Sequence, residues 1–175
     1  MGFKSTIDYV TTASTGNASD YGDLRVDTFS AGSSNGDTYG AYFGGQISGN
    51  TVDEIEYVTM SSTGNSTNWG VLISGNKREL GGLSNATRGI RWGGESSNII
   101  EYWPWASTGN SSDFGDLSQN TGRPSNRGAE DTIRGIGLGG QISGGSTGRM
   151  DYITIASTGN ATEFGDSVVY GDGGS

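Results

Sequence analysis

The sequence predicts an all-β protein built of repeated units, and three observations carry that prediction. One stretch, residues 7–23, is written four times, around Tyr9, Tyr57, Tyr102 and Tyr152, with no slip in its internal spacing. The copies recur 48, 45 and 50 residues apart, measured between Gly16, Gly64, Gly109 and Gly159, a period typical of a β-propeller blade. Each copy opens on a period-two pattern rich in β-branched residues, and 33 of the 175 residues are glycine, as short strands joined by tight turns require. The repeat of about 48 residues divides a single domain, 1–175, into roughly three and a half to four units. Blocks lie near 7–23, 55–71, 100–116 and 150–166; variable stretches fill 24–54, 72–99 and 117–149; a tail occupies 167–175.

Within the first block, Ile7, Tyr9 and Thr11 alternate with Asp8, Val10 and Thr12 and mark a strand. Both faces are partly apolar here and at Ile55–Val58, Ile100–Trp103 and Met150–Ile153, which suits a sheet covered on both sides by neighbouring sheets. Ser14-Thr15-Gly16-Asn17 then reads as a tight turn, because Gly and Asn tolerate positive φ and Ser, Thr and Asn bond nearby backbone. A second aromatic follows five residues after the turn glycine (Tyr21, Trp69, Phe114, Phe164) and heads the next strand. The glycine after it (Gly22, Gly70, Gly115, Gly165) is expected to break that strand. The variable stretches supply the remaining strands and exposed loops, and Pro124 falls in one such loop.

Composition narrows the function. The apolar fraction is only 31%, so each unit has a thin core and must be stabilised by stacking on its neighbours. A net charge of −9 disfavours nucleic acid and anionic membrane surfaces as partners. The chain lacks cysteine, hence disulfides and thiolate chemistry, and lacks histidine, the commonest general base and transition-metal ligand. No signal peptide, lipidation signal or long apolar run is legible, so an extracellular destination would be reached by release on lysis.

The variable stretches end in an apolar residue and a glycine pair: Phe43-Gly44-Gly45, Trp92-Gly93-Gly94 and Leu138-Gly139-Gly140. A glycine pair closing a strand, a Tyr-bearing strand and an aromatic in the strand after it follow one another in the order of kelch-type blades. From Ile7 to about Asp166 the chain resembles kelch-like repeats of the form GG…IDYVTIASTGNATDFGDL, found in structural and host-recognition proteins of marine bacteriophages, especially those of cyanobacteria. The resemblance implies a propeller-like fold and a virion-associated, tail-fibre or host-recognition role, with localisation on the particle. It implies nothing about chemistry, since one fold hosts many functions.

Four blocks but three full variable stretches leave the repeat count incomplete, and closed propellers use about four to eight blades. The chain could close as a small ring with one partial blade, share a ring with further copies, or stack as an open array. Assembly as a homo-oligomer, with other virion proteins as further partners, is the expectation, because Val168-Val169-Tyr170 reads as a strand lacking partners and bare edges are rare.

Acidic and amide groups cluster at the blocks: Asn17 with Asp20 and Asp23, Asn110 with Asp113 and Asp116, Asn160 with Glu163 and Asp166. Hard cations take such oxygens, but the second block has Asn68 and Val71 at the acidic positions, so turn capping through backbone bonds is the expected role and no metal or other cofactor is assigned. The Asn-x-Ser/Thr triplets at Asn17, Asn65, Asn110 and Asn160 belong to the same turns, and a fifth lies at Asn85. The acids before the block tyrosines (Asp8, Glu56, Glu101, Asp151) recur once per unit, which fits solvent-facing or turn-bonding groups better than a unique glycosidase pair. No catalytic residues are assigned, and the chain is read as non-enzymatic. Arg88, Arg91 and Arg134, which precede the glycine pairs, are expected to pair with block carboxylates of a neighbouring unit or subunit.

Aromatic residues are the candidate ligand-binding groups. Trp103-Pro104-Trp105 departs from the aliphatic and Thr residues of the other copies, and Trp92 and Tyr42 flank glycine pairs. Such rings could stack on sugars of a host-surface glycan, anchor a protein interface or fill the core between units. The favoured reading is a virion structural or adhesion protein acting through protein contacts, with multivalent glycan binding as an added possibility. A stand-alone lectin and a purely structural filament or decoration subunit are the alternatives.

Overall fold

A computed structural model describes residues 5–121, 128–142 and 145–168, and these fold as strands and turns with no helix. Three four-stranded antiparallel sheets follow a two-stranded one along the chain. The two-stranded sheet pairs β1 (Thr6–Tyr9) with β2 (Ser19–Asp23). The next holds β3 (Gly32–Asn35) and β4 (Tyr39–Phe43), then, beyond a small hairpin of β5 (Gln46–Ile47) and β6 (Asn50–Thr51), β7 (Glu54–Thr59) and β8 (Thr67–Val71). β9 (Gly81–Ser84), β10 (Arg88–Trp92), β11 (Ser97–Pro104) and β12 (Ser112–Thr121) make the third sheet. The fourth contains β13 (Gly128–Glu130), β14 (Arg134–Ile142), β15 (Gly145–Thr154) and β16 (Thr162–Asp166). The sheets are all open.

Each block makes the last two strands of its sheet, and the variable stretch before it makes the first two. The first block has no such pair before it among the described residues, which is why its sheet has two strands. The glycine pairs leave β4 and β10 with φ near 61° and 105° at Gly44 and Gly45, and 58° and 96° at Gly93 and Gly94, the left-handed region that disfavours a side chain. In the third case the strand runs on: β14 continues through Gly139 and Gly140 to Ile142 with a register irregularity.

The expected strand break after the second aromatic is not seen. Ile55 pairs with Gly70 but Glu56 with Asn68, so Trp69 is an extra residue in β8, a β-bulge. Tyr21, Phe114 and Phe164 occupy the same bulge in β2, β12 and β16. The bulge turns the aromatic onto the block tyrosine across the strand pair. Tyr9–Tyr21, Tyr57–Trp69, Tyr102–Phe114 and Tyr152–Phe164 are all edge-on, with centroids 5.9, 5.0, 6.0 and 6.1 Å apart. Such pairs contribute about 0.5–1.5 kcal/mol each beyond area burial. This contact fixes the twelve-residue distance between the two aromatics in every copy.

The core lies between successive sheets. Phe43, Ile55, Trp69, Leu72, Leu80, Trp103 and Trp105 form one buried cluster, and Leu83, Ile90, Trp92, Ile100, Phe114, Leu117, Ile153 and Ile155 form the next. Glycine in the strands makes room for these rings: Phe43 lies on Gly32 and Gly82, Trp92 on Gly81 and Gly137, and Trp103 on Gly89. A tryptophan buried in this way removes about 200 Å² from water, worth about 5 kcal/mol. Three large rings thus offset the low apolar content.

The Pro124 loop lies outside the described residues, as does the tail beyond Val168. Val168 itself is fully exposed and is not in a strand.

Candidate functional site

The recurring residues converge on the junctions between units. At each junction the Ser-Thr-Gly-Asn turn of one block is hydrogen-bonded to the outermost strand of the block before it. The turn glycine donates its N–H to the carbonyl of the bulge aromatic: Gly64 to Tyr21 at 2.8 Å, Gly109 to Trp69 at 2.8 Å, Gly159 to Phe114 at 2.7 Å. Two residues on, Ser66, Ser111 and Ala161 donate to the carbonyls of Asp23, Val71 and Asp116 at 2.8, 3.0 and 2.8 Å. In return the N–H groups of Asp23, Val71 and Asp116 donate to Oδ1 of Asn65, Asn110 and Asn160 at 3.0, 3.2 and 3.1 Å. The turn asparagine therefore bonds its neighbour's strand rather than its own backbone. A strand with free edge groups is thereby capped three times over.

Space as well as polarity selects the residues. A β-carbon on Gly22 would stand 2.5 Å from the carbonyl carbon of Gly64. One on Gly70 or Gly115 would meet the carbonyl oxygens of Gly109 or Gly159 closer still. The glycine after each bulge aromatic is the seat on which the next turn rests.

The acids before the block tyrosines form a second clasp: of the solvent-facing and turn-bonding roles expected of them, three do not face solvent and take hydrogen bonds instead. Glu56, Glu101 and Asp151 are buried. They accept backbone N–H groups just beyond the preceding block: Arg25 to Glu56 at 2.9 Å, Ser74 to Glu101 at 2.7 Å, Ser118 to Asp151 at 3.0 Å. Acid length matches the block's own hydroxyl. Glu56 and Glu101 also accept Ser66 Oγ and Ser111 Oγ at 2.5 and 3.3 Å. The shorter Asp151, whose block carries Ala161 instead, takes Ser118 Oγ at 2.7 Å. Asp8, in the first block, is exposed.

Of the arginines expected to meet carboxylates of neighbouring units, Arg91 meets an acid of its own sheet, Glu101, at 3.6 Å, and gives Nη1–H to the Ile99 carbonyl at 2.9 Å. Both side chains of that pair are fully buried, and burial pushes the Arg91 guanidinium down to about 10 while Glu101 opposes the fall. Arg88 and Arg134 instead lie over the rings of Tyr102 and Tyr152, 4.6 and 5.1 Å from their centroids. Tyr39 holds the corresponding place over Tyr57 at 5.1 Å.

Of the three roles open to the candidate rings, sugar stacking, interface anchoring and core filling, the last is the one that the placement of the tryptophans fits. Trp92, Trp103 and Trp105 are buried, because each fills the gap that glycine leaves in an adjoining strand or turn. Trp105 sits on Gly36 and donates Nε1–H to the Asn85 carbonyl at 3.0 Å. Tyr42 is half-buried. Trp105 borders a cleft with Asp37, Thr38, Tyr39, Ala86, Thr87 and Ala106, while Trp92 borders one with Leu117, Gln119 and Gly137, and Tyr42 one with Leu24, Val26 and Glu54. Among the described residues, three or more Asp or Glu never gather as a metal site. The turn geometry was legible in the fixed spacing; that its partner is the preceding block was not, because no sequence signal marks a backbone carbonyl as an acceptor.

A scan against protein-family models finds no match for the chain, and a search of curated proteins finds none.

Proposed function

We propose that this chain is a non-enzymatic structural protein of a phage-type particle, its units stacked as kelch-like, propeller-type blades. It works through protein contacts with copies of itself and with other particle proteins. The observation that carries the reading is the occupation of the repeat's polar groups. Asparagine, acid and turn amide, the residues from which a recurring catalytic or metal site would be built, are engaged in unit-to-unit hydrogen bonds in three blocks out of four. The resemblance of the blocks to phage repeats points the same way. Immunogold electron microscopy of particles released on lysis tests the reading. Label on the particle is expected; label confined to the particle-free supernatant would sink it.

An adhesive role for the same protein is favoured by one observation, the cleft beside Trp105, which Tyr39 and Asp37 also line. Aromatic and carboxylate together suit a sugar hydroxyl face. A glycan array probed with the intact chain and with Tyr39→Ala tests it, and signal unchanged by the substitution would remove this cleft from consideration.

A further inference from the structure

We infer that copies of this chain join head to tail, the turn at Gly16 and Asn17 of one copy seating on β16 of the next. The inference rests on the structural reading above and names its contact surface. The first and last blocks carry the two halves of one junction.

On the last block, Phe164, Gly165 and Asp166 stand at the outer edge of a four-stranded sheet, where Trp69, Gly70 and Val71 stand in the second block. Gly70 lies under the next turn, but a β-carbon on Gly165 would meet, among the described residues, only Met150 Cε of the same sheet at 4.0 Å. Phe164 is 52% exposed, against 3% for Trp69 and 2% for Phe114. No turn covers this strand among the described residues.

On the first block the opposite half is bare. Gly16 and Asn17 make no hydrogen bond among the described residues, whereas Gly64 with Asn65, Gly109 with Asn110 and Gly159 with Asn160 are all docked. Val10 is 59% exposed, against 9%, 0% and 3% for Val58, Trp103 and Ile153 at its position in the other blocks.

Register then dictates the contact. Gly16 N–H meets the Phe164 carbonyl, Ala18 N–H meets the Asp166 carbonyl, and Asp166 N–H meets Asn17 Oδ1. Asp8 takes the N–H of Val168, which holds the place of Ser118. The first block even repeats the short-acid version of the clasp, Asp8 with Ala18, as Asp151 stands with Ala161. Among the described residues the two halves share no hydrogen bond within the chain, and because each matches the other as the halves of the internal junctions do, the occupant to which we assign them is a second copy. Unlike surfaces in contact form a heterologous interface, which builds a ring or an open filament.

The chain has no cysteine, so a cross-link can be placed at will. Asn17→Cys in one preparation and Asp166→Cys in another are mixed and oxidised, with Asp23→Cys plus Asn65→Cys in one chain as the internal counterpart. A disulfide-linked dimer between the two preparations is expected. Closure of the internal counterpart without any dimer between preparations overturns the inference. Light scattering of the unsubstituted chain is expected to give a mass that rises with concentration above the 18.1 kDa of one chain. Asn17→Ala removes one hydrogen bond and weakens that association about 2- to 12-fold. A constant single-chain mass at every concentration also overturns it. Particle labelling, the test of the structural reading, depends on neither result.

Discussion

The Gly109 peptide rests directly on Gly70, so that a β-carbon at position 70 would lie inside van der Waals contact with the Gly109 carbonyl oxygen. Gly70→Ala must therefore push the third unit off the second. Overpacking of this kind costs about 1–3 kcal/mol. Gly16→Ala is the comparison, since a β-carbon there meets nothing within 4 Å among the described residues. In urea, Gly70→Ala is expected to lower the unfolding midpoint and Gly16→Ala to leave stability within about 0.5 kcal/mol. Equal effects would show that the turn does not bear on the strand.

Glu101 is held by more than its charge. It faces Arg91 at 3.6 Å and accepts Ser74 N–H and Oγ–H and Ser111 Oγ–H. Glu101→Ala strands a buried guanidinium and two hydroxyls, and a loss of about 3–5 kcal/mol is expected by chemical denaturation. The double substitution Arg91→Met with Glu101→Ala should recover part of that loss, because the buried charge goes but the Ser74 and Ser111 donors stay unmatched. A double-mutant cycle showing simple additivity would exclude the coupling.

Asp131 caps the turn between β13 and β14, accepting the N–H groups of Arg134 and Ile133 at 2.6 and 2.7 Å. These bonds, the Arg134 one foremost, hold its carboxyl below the ordinary 3.8. A carboxyl with a depressed folded value stabilises the fold above its unfolded pKa, and that contribution is lost as pH falls through the folded value. Carboxyl-carbon NMR should show a midpoint under 3.8. Asp131→Asn should keep the turn and flatten the acid limb of the melting curve, because Asn85 already caps the equivalent turn through Thr87 and Arg88 N–H.

All four tryptophans are buried in the folded chain. Emission should be blue-shifted and resistant to acrylamide, shifting red in a single step on unfolding. Trp105→Ala opens the gap above Gly36 and is expected to cost about 3–5 kcal/mol. Emission quenched freely in the native state would contradict the interior placement of Trp92 and Trp103.

The block was legible because its constraints are local in sequence. Two aromatics that must meet across a bulged hairpin leave a fixed spacing, and so does a turn between them. The variable stretches hid their strands for the opposite reason. Gly81-Gly82-Leu83-Ser84 has neither alternation nor β-branched residues, and it becomes β9 because Trp92 and Phe43 cover its glycines from other strands. The same non-local cause hid the burial of Glu56, Glu101 and Asp151. A carboxylate reads as a surface group until the amide that it accepts is brought to it by the next sheet. Trp103 and Trp105 differ from their aliphatic counterparts through what they face, Gly89 and Gly36, and that pairing appears only in three dimensions.

The junction asks little of the residues it joins. All four of its hydrogen-bonding groups on the strand side are main-chain atoms, as are two of the four on the turn side, and its side-chain demands are one asparagine, one acid and one glycine. A unit that keeps those three can change its outward loops without consulting its neighbours. The chain is in this sense a grammar rather than a sentence: units can be duplicated, deleted or exchanged between copies by recombination in register, and the products inherit a working joint. Length polymorphism in steps of one unit is the mark that such a history would leave.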